Sequence, residues 1–426
     1  MKTINKNIEK YIKNIILIFI IIQPILDLTA GLTQNILKIN TTISSIIRLI
    51  FLLFCIYYIL VLDKTKEKKK SIIYTILITV YTTIFSLLTI IYKDTNALTY
   101  ELKNTINAFY LPIILLSLTN MFKQYDIKIN IKTIVYTYMT YIILILIPNI
   151  TNTGFQSYAI AKDGSSGWFT SANGVGNILS ILLPIIILYL IKSKNIIKAL
   201  LIITTTLYVF LSMGTKVPIL SLVICVISTL LFYIIKWIKE KEKTKILITL
   251  FTTIIITITS ILIIPKTTFY KNIQIHKEYL GFKNYTEILT NYELLDHFVF
   301  SQRLTFLKNT NKNYLKANVL EKTFGIGYIE NYGTESVSTK TIEIDYAEIF
   351  YRNGIIGFVI FFSILLPNII KKLKTKEKTL ENTELKTSII LILLLALFSG
   401  HILITPAVSI FVALIIGGKY EKINQR

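Results

Sequence analysis

Long blocks of apolar residues, separated by short polar connections, run along most of the chain. A helix needs about 20 apolar residues to cross the hydrocarbon core of a bilayer, and most blocks have about that length. Because a helix satisfies its own backbone hydrogen bonds in lipid, the pattern predicts an all-α polytopic membrane protein. About twelve transmembrane helices are expected, near residues 12–29, 43–62, 71–92, 104–121, 131–149, 173–191, 196–213, 216–236, 246–264, 345–370, 387–403 and 405–418.

One connection is far longer than the others and divides the chain into three regions. Residues 1–264 hold predicted helices 1–9, residues 265–344 form the long loop, and residues 345–426 hold helices 10–12 and a tail. Loops of this length are generally functional or disordered. Aromatic and aliphatic residues recur at helical spacing in 292–300 and 304–307, which predicts one or two amphipathic helices on the outer surface.

Composition and charge agree with this membrane topology. Of the 426 residues, 53% are hydrophobic and only 16% are charged, which is too apolar for an ordinary soluble globule. The net charge of +22 would suit a nucleic-acid partner, but the lysines gather in every second connection, as the positive-inside rule expects. The charge therefore reports orientation, and the expected surroundings are membrane lipids, with no nucleic acid.

The alternating lysine clusters predict how the chain sits in the cytoplasmic membrane. Both termini are expected in the cytoplasm, and the 265–344 loop is expected to be extracellular. The basic run before the first block has no small-residue cleavage site, so the first helix is expected to be an uncleaved span.

Four polar residues lie on the predicted outer side, at the ends of helices or in the long loop. Asp27 lies near the outer end of helix 1, where an ionisable side chain is costly unless it is paired or lines a cavity. Lys216 occupies a tight outward turn, against the positive-inside bias. Asn173 lies where an outward loop enters helix 6, and Arg303 is the sole arginine of the long loop. A solvated Asp27, a snorkelling Lys216 and an ordinary surface Arg303 are the alternative interpretations.

Three carboxylates, Glu343, Asp345 and Glu348, cluster at the outer start of predicted helix 10. Negative charge there also complements the helix dipole, which is the simpler explanation. Asp345 and Glu348 share one helix face, and a carboxylate near a membrane cavity can act as a general base for a hydroxyl. Carboxylates without an accompanying histidine do not make a zinc site, so no metal or other cofactor is expected.

The predicted topology brings all these candidates to the same outer face. Cations, a carboxylate base and a membrane bundle suit transfer from a lipid-linked phosphate donor. Lys216 and Arg303 would neutralise the diphosphate leaving group, and Glu343 or Asp345 would accept the proton of the attacking sugar hydroxyl.

Several short motifs in this order resemble the O-antigen ligase and O-antigen polymerase family of bacterial membrane glycosyltransferases, in particular its Gram-positive branch. They are Gln-Pro-Ile-Leu-Asp27, Trp-Phe-Thr-Ser-Ala-Asn173, Met-Gly-Thr-Lys216, Arg303, Gly325-Ile-Gly327 and the stretch from Glu343 to Gly357. The resemblance implies a metal-independent enzyme that moves a glycan from undecaprenyl diphosphate to a glycan, lipid or cell-wall acceptor, with inversion.

The chain departs from the Gram-negative pattern of that family in two places. Glu343 stands where those proteins have a catalytic histidine, eleven residues before the glycine matching Gly354, and Lys216 stands where an arginine is usual. His276, His297 and His401 do not occupy the motif position, and each is interpreted as an ordinary histidine.

Ligase and polymerase activity stay open as alternatives. A transporter or flippase of lipid-linked oligosaccharide is a further alternative, and so is a structural subunit of a wall-synthesis complex. A transporter is expected to place ionisable residues near the bilayer midplane. The predicted spans are nearly free of charge there, which favours the enzyme.

Overall fold

The computed structural model describes residues 2–39, 42–93, 95–158, 162–329 and 341–421; residues 330–340 of the predicted loop and 422–426 of the predicted tail lie outside the described residues. The described chain is organised into α-helices: α1 (Lys2–Ile21), α2 (Gln23–Asn35), α3 (Ile43–Tyr57), α4 (Lys68–Tyr92), α5 (Thr95–Gln124), α6 (Ile131–Thr151), α7 (Ala172–Lys192), α8 (Ile196–Ser212), α9 (Lys216–Lys239), α10 (Lys243–Ile263), α11 (Thr268–Leu280), α12 (Glu287–Thr290), α13 (Tyr292–Leu295), α14 (Arg303–Lys316), α15 (Val319–Phe324), α16 (Asp345–Leu373), α17 (Leu380–Phe398) and α18 (Pro406–Gly417).

The helices confirm a polytopic membrane protein. Within the described ranges, 7 helices are long and apolar enough to cross a membrane: α3 with the π-helical turn after it, α4, α5, α6, α7, α9 and α16. The pair α1 and α2, bent by 44° at Ile22, adds an eighth crossing if it forms one span. Each predicted span overlaps a helix of the structure, while twelve as the number of crossings stays a prediction.

The bundle has a buried centre and a lipid-facing rim. Helices α5 and α7 bury most of their side chains, whereas most side chains of α4 and α9 are half-buried or exposed. Helix α18 has only 12 residues, and Val408 to Ile416 are all buried. At a rise of about 1.5 Å per residue it is too short to cross a hydrocarbon core of about 30 Å. It packs instead inside the bundle against α5 and α7.

The end of the chain differs from the predicted helices 387–403 and 405–418. Helix α17 ends at Phe398, and α18 begins only at Pro406. The intervening 399–405 loop is non-helical because Gly400 and His401 both adopt left-handed backbone conformations, with φ of 66° and 60°. This loop enters the bundle at the end where the long loop projects, which we call the loop end.

A break in α16 shapes the same end of the bundle. Gly354 has φ 64° and ψ −174°, a combination almost restricted to glycine. A Cβ at this position would lie 2.4 Å from the backbone nitrogen of Gly325, so the two glycines allow a close approach of α15 to α16. The hydroxyl of Tyr81 holds the contact by donating to the carbonyls of Phe324 and Asn353, at 2.8 and 2.9 Å.

The long loop contains several short helices. The 292–300 stretch forms α13 and continues into a π-helical turn over Asp296–Phe300, and the 304–307 stretch lies in α14. The Asp296 carboxylate caps the start of α14, since it accepts from the backbone nitrogens of Leu304 and Thr305, each at 2.9 Å. The helical segments exist as predicted, while their position on the outer surface of the membrane stays a prediction.

Candidate active site

The 399–405 loop forms the floor of the candidate site, and Asp345 holds it in place. The buried Asp345 carboxylate accepts hydrogen bonds from the backbone nitrogens of His401, Ile402 and Leu403, at 2.7, 2.8 and 2.8 Å. On the other side of the loop, the Asn177 amide donates to the Gly400 carbonyl at 3.0 Å. Helices α7 and α16 therefore fix this loop from two directions.

Arg303 joins the long loop to the bundle. Its guanidinium is buried and donates to the carbonyls of Phe398 and Ser399, at 2.9 and 3.2 Å, and to the Glu343 carboxylate at 2.7 Å. The Nε atom is buried and has no hydrogen-bond partner among the described residues. Buried charges are stable only when they are paired and hydrogen-bonded, and Glu343 is the counter-ion here.

Glu343 lies beside His401 as well as Arg303. The Nε2 atom of His401 is 3.9 Å from the Glu343 Oε1 atom, and the two side chains are 32% and 27% exposed. Burial raises the pKa of Glu343, but the neighbouring groups of His401 and Arg303 outweigh it and lower the pKa to about 2. Burial lowers the pKa of His401, but Glu343, Asp345 and more distant Glu348 raise it above its ordinary value. An ionised carboxylate and an imidazole thus share a partly open position.

Two lysines and a histidine lie close to Arg303, and we call them the Lys216 cluster: Lys162, Lys216 and His276. The Lys216 ammonium donates to the Phe298 carbonyl and lies 4.4 Å from the centre of the Phe298 ring. His276 stacks on the same ring at 5.3 Å. No carboxylate of the described ranges lies within ion-pair distance of Lys216.

The pKa of His276 reflects the positive charge of the neighbouring lysines. Burial, together with the charges of Lys162 and Lys216, lowers the pKa of His276 to about 4. Burial also lowers the pKa of Lys162. Arg303 is near enough for its charge to act on Lys216. An uncompensated positive site of this kind favours an anion.

An apolar groove opens at the loop end, between α3, α4 and α5. It consists of two adjoining cavities of about 510 and 390 Å³ that share Leu49, Leu52, Leu102 and Ile106. The larger cavity reaches Thr405 and also contacts two cations, Arg48 and Lys103. The groove therefore runs from the 399–405 loop along lipid-facing helices.

A comparison with protein families assigns the chain to a family. A sequence profile described as "O-antigen ligase like membrane protein" matches residues 9–287 and 283–425. The chain belongs to this family. No curated protein sequence matches it. Membership in the O-antigen ligase-like family indicates a glycosyltransferase-type enzyme that transfers a lipid-linked glycan in cell-surface polysaccharide assembly.

The structure of this O-antigen ligase-like protein brings several predicted residues together. Arg303 and Glu343 form an ion pair, Asp345 lies behind them, and Lys216 is close to Arg303. Glu348 is buried one turn into α16, where it accepts from the backbone nitrogen of Ile342 at 2.7 Å. Both Asp345 and Glu348 thus accept hydrogen bonds from backbone N–H groups of the site.

Asp27 belongs to a separate cluster, of which the sequence analysis identified Asp27 but not its partners. Its carboxylate pairs with Arg48 at 2.6 Å and accepts from the Tyr141 hydroxyl at 2.5 Å. Gln23 also accepts from Arg48, at 2.8 Å. Asp27 is therefore paired, and its partner could have been found as the one arginine inside the apolar block 43–62, since a cation there needs a counter-ion.

Asn173 lies half-buried in the first turn of α7, which Ser171 caps by accepting from the Gly174 nitrogen at 3.0 Å. The contact with the 399–405 loop comes from Asn177, one turn later. Sequence reasoning also missed the buried Glu101, which accepts from the backbone nitrogens of Tyr328 and Ile329, at 2.8 and 2.9 Å. Glu101 could have been found as a carboxylate near the start of an apolar helix, because a buried carboxylate needs hydrogen-bond donors.

Proposed function

We propose that this protein transfers or polymerises a glycan carried on undecaprenyl diphosphate at the outer face of the cytoplasmic membrane. The donor is the undecaprenyl-diphosphate-linked glycan, and the acceptor is a hydroxyl of a glycan, lipid or cell-wall polymer. The observation that supports this best is the Lys216 cluster beside the Arg303–Glu343 ion pair. A transferase for such a donor needs an anion site next to a proton acceptor.

The cations meet the charge that develops on the diphosphate leaving group. Lys216 is the best placed to contact a phosphate, because an ammonium has three donors and Phe298 takes one of them. Arg303 already binds three carbonyls and Glu343, so it adds positive charge and holds the site together. Fixed positive charge in a partly buried site stabilises a leaving group more strongly than it would in water.

The proton acceptor is placed beside this anion site. The two predicted bases differ in their surroundings: both Asp345 oxygens already accept backbone hydrogen bonds, whereas Glu343 lies beside Arg303 and His401. Asn173 lies at the half-open entrance to α7, where a glycan can contact it. Asp27 and Glu348 support substrate binding indirectly, through Arg48 and the backbone of Ile342. Attack of one hydroxyl on the anomeric carbon inverts its configuration, and the proposed step uses no metal.

The apolar groove accounts for the lipid part of the donor. It extends along α3 from Ser45 to Ile56, a rise of about 17 Å. Lipid chains are as apolar as the leucine and isoleucine side chains that line the groove. A polyprenyl chain lying there would keep its diphosphate at the loop end, beside the 399–405 loop.

Mass spectrometry of glycans in a deletion strain tests the proposal. The strain is complemented with wild type, with Arg303→Ala and with Arg303→Lys, and lipid-linked and surface glycans are measured. We expect outward-facing lipid-linked units to accumulate without the protein and only wild type to restore the polymer fully. Single units would indicate a polymerase, and full-length chains a ligase.

The same measurement separates the alternatives. Units that accumulate on the cytoplasmic leaflet would support a flippase instead. Full rescue by Arg303→Ala would support a structural subunit, because the site would then be dispensable. The matched control is Lys308→Ala, which removes an exposed cation of α14. This variant is expected to restore the polymer.

A further inference from the structure

Glu343 and His401 face each other across the candidate site in strained backbone conformations. Their φ angles are 58° and 60°, in the left-handed region that non-glycine residues rarely adopt. The backbone between them is in close contact, because a Cβ on Gly400 would lie 2.5 Å from the Glu343 carbonyl oxygen. Strain of this kind persists only where the surrounding structure enforces it, and it concentrates at functional sites.

The Glu343 carboxylate is poorly suited to remove a proton. Its Oε2 atom accepts from Arg303 at 2.7 Å, and its Oε1 atom faces His401. A carboxylate with a pKa of about 2 is a weak base for a sugar hydroxyl at neutral pH. The Arg303 ion pair thus makes Glu343 a permanent negative charge.

We propose that the His401 imidazole accepts the proton of the attacking hydroxyl, and that Glu343 orients the ring and stabilises its charged form. This inference rests on the proposed function. The hydroxyl oxygen forms a bond to the anomeric carbon while its proton passes to the ring nitrogen facing away from Glu343. The bond from the anomeric carbon to the diphosphate oxygen breaks, and the electron pair leaves with the diphosphate. The imidazolium then returns its proton to solvent.

The groups around His401 support this role. The carboxylates that act on the ring are Glu343 from the segment before α16 and Asp345 and Glu348 from α16. The cation Arg303 from α14 pairs with Glu343. Asp345 accepts a hydrogen bond from the backbone nitrogen of His401 at 2.7 Å, which fixes the backbone position from which the ring extends. The ring is 32% exposed and can meet a substrate. An imidazole with a carboxylate behind it is a recurring base arrangement in enzymes.

The test compares three variants of the purified full-length protein in lipid nanodiscs. The substrate is the lipid-linked glycan extracted from the deletion strain, and kcat/KM is measured from pH 5 to pH 9. His401→Asn is the main variant, because asparagine tolerates the left-handed backbone but cannot accept the proton. Glu343→Gln removes the partner charge. The control is His297→Gln, which changes a half-buried histidine of the long loop that hydrogen-bonds Gln302.

We expect wild-type activity to fall as the pH is lowered, because His401 becomes protonated. His401→Asn is expected to lose about 10²–10⁴-fold in kcat/KM and to lose this pH dependence. Glu343→Gln is expected to keep part of the activity and to lose it at a lower pH than wild type, because removing the negative charge lowers the pKa of His401. His297→Gln is expected to match wild type.

Two other results would overturn the inference. If His401→Asn keeps wild-type pH dependence while Glu343→Gln is inactive at every pH, Glu343 is the base and His401 is not. If wild type itself forms no product from the lipid-linked glycan, the proposed function fails, and this inference fails with it. Unfolding temperatures of all variants separate loss of chemistry from loss of fold.

Discussion

At the scale of single residues, three nearby carboxylates have different roles because their partners differ. Glu343 pairs with Arg303 and is 27% exposed. Asp345 is buried and binds three backbone nitrogens, and Glu348 is buried and binds the nitrogen of Ile342. A carboxylate that satisfies buried N–H groups contributes to folding, since an unsatisfied buried donor costs free energy.

Asp345→Asn is expected to reduce stability. One carboxylate oxygen becomes an NH₂ group that faces backbone N–H donors, so at least one buried hydrogen bond is lost, at a cost of about 1–3 kcal/mol. Unfolding of the detergent-solubilised protein measures the effect. The control is Asp163→Asn, whose exposed ion pair with Lys271 is expected to contribute little. Equal stability of the two variants would contradict the anchoring role of Asp345.

At the scale of helices, the site depends on breaks in α16 and after α17. The break at Gly354 lets Gly325 and the following residues pack against α16, where the Gly327 backbone nitrogen donates to the Arg352 carbonyl at 3.2 Å. The break after α17 exposes the backbone nitrogens of 401–403 to Asp345. Continuous helices would bond these groups internally, and neither contact could form.

Gly354→Ala is expected to destabilise the protein strongly. Its backbone conformation is close to glycine-only, and the added Cβ would lie 2.4 Å from the Gly325 nitrogen. Gly281→Ala is the matched control, because Gly281 also has positive φ but nothing lies within 4 Å of its Cβ. The control is expected to cost only about 1–2 kcal/mol. Unfolding measurements compare the two variants. An equal loss of stability in both would show that the close approach of α15 to α16 is unimportant.

The groove between α3 and α5 is tested by filling it. Ile106→Trp is expected to raise KM for the lipid-linked donor, because the indole occupies the shared part of the groove. The expected increase is about 10-fold or more, equal to about 1.4 kcal/mol of lost binding. Ile227→Trp, on the exposed face of α9, is the control and is expected to leave KM unchanged. An unchanged KM for Ile106→Trp would place the lipid elsewhere.

At the scale of the whole molecule, the bundle collects residues from distant parts of the chain at the loop end. Lys216 from α9, Arg303 from α14 and Glu343 from the segment before α16 meet there. The predicted orientation places this end outside the cell, where a lipid-linked glycan donor would be used.

Cysteine labelling of intact cells tests that orientation. The two native cysteines, Cys55 and Cys225, are buried, so background labelling is expected to be low. A membrane-impermeant maleimide is expected to label Leu289→Cys in the long loop, which is 82% exposed, and not Lys194→Cys between α7 and α8. Labelling of Lys194→Cys alone would reverse the topology.

The sequence by itself determined the class of structure and the family. Blocks of bilayer-spanning length predict membrane helices because each helix satisfies its own backbone hydrogen bonds. Helix α16 begins at Asp345, as expected. Lys216 was chosen because it opposes the positive-inside bias, Arg303 as the sole arginine of the long loop, and Glu343 as part of a carboxylate cluster.

Only the tertiary structure decided how these residues are used. The partners of Asp345 lie more than fifty residues away, at His401 to Leu403, and no local spacing predicts such contacts. His401 was interpreted as ordinary because it does not occupy the motif position. The structure ends α17 at Phe398 and places the His401 ring beside Glu343. Hydrophobic periodicity is a local property of the chain, but hydrogen-bond partners and burial depend on packing between distant segments.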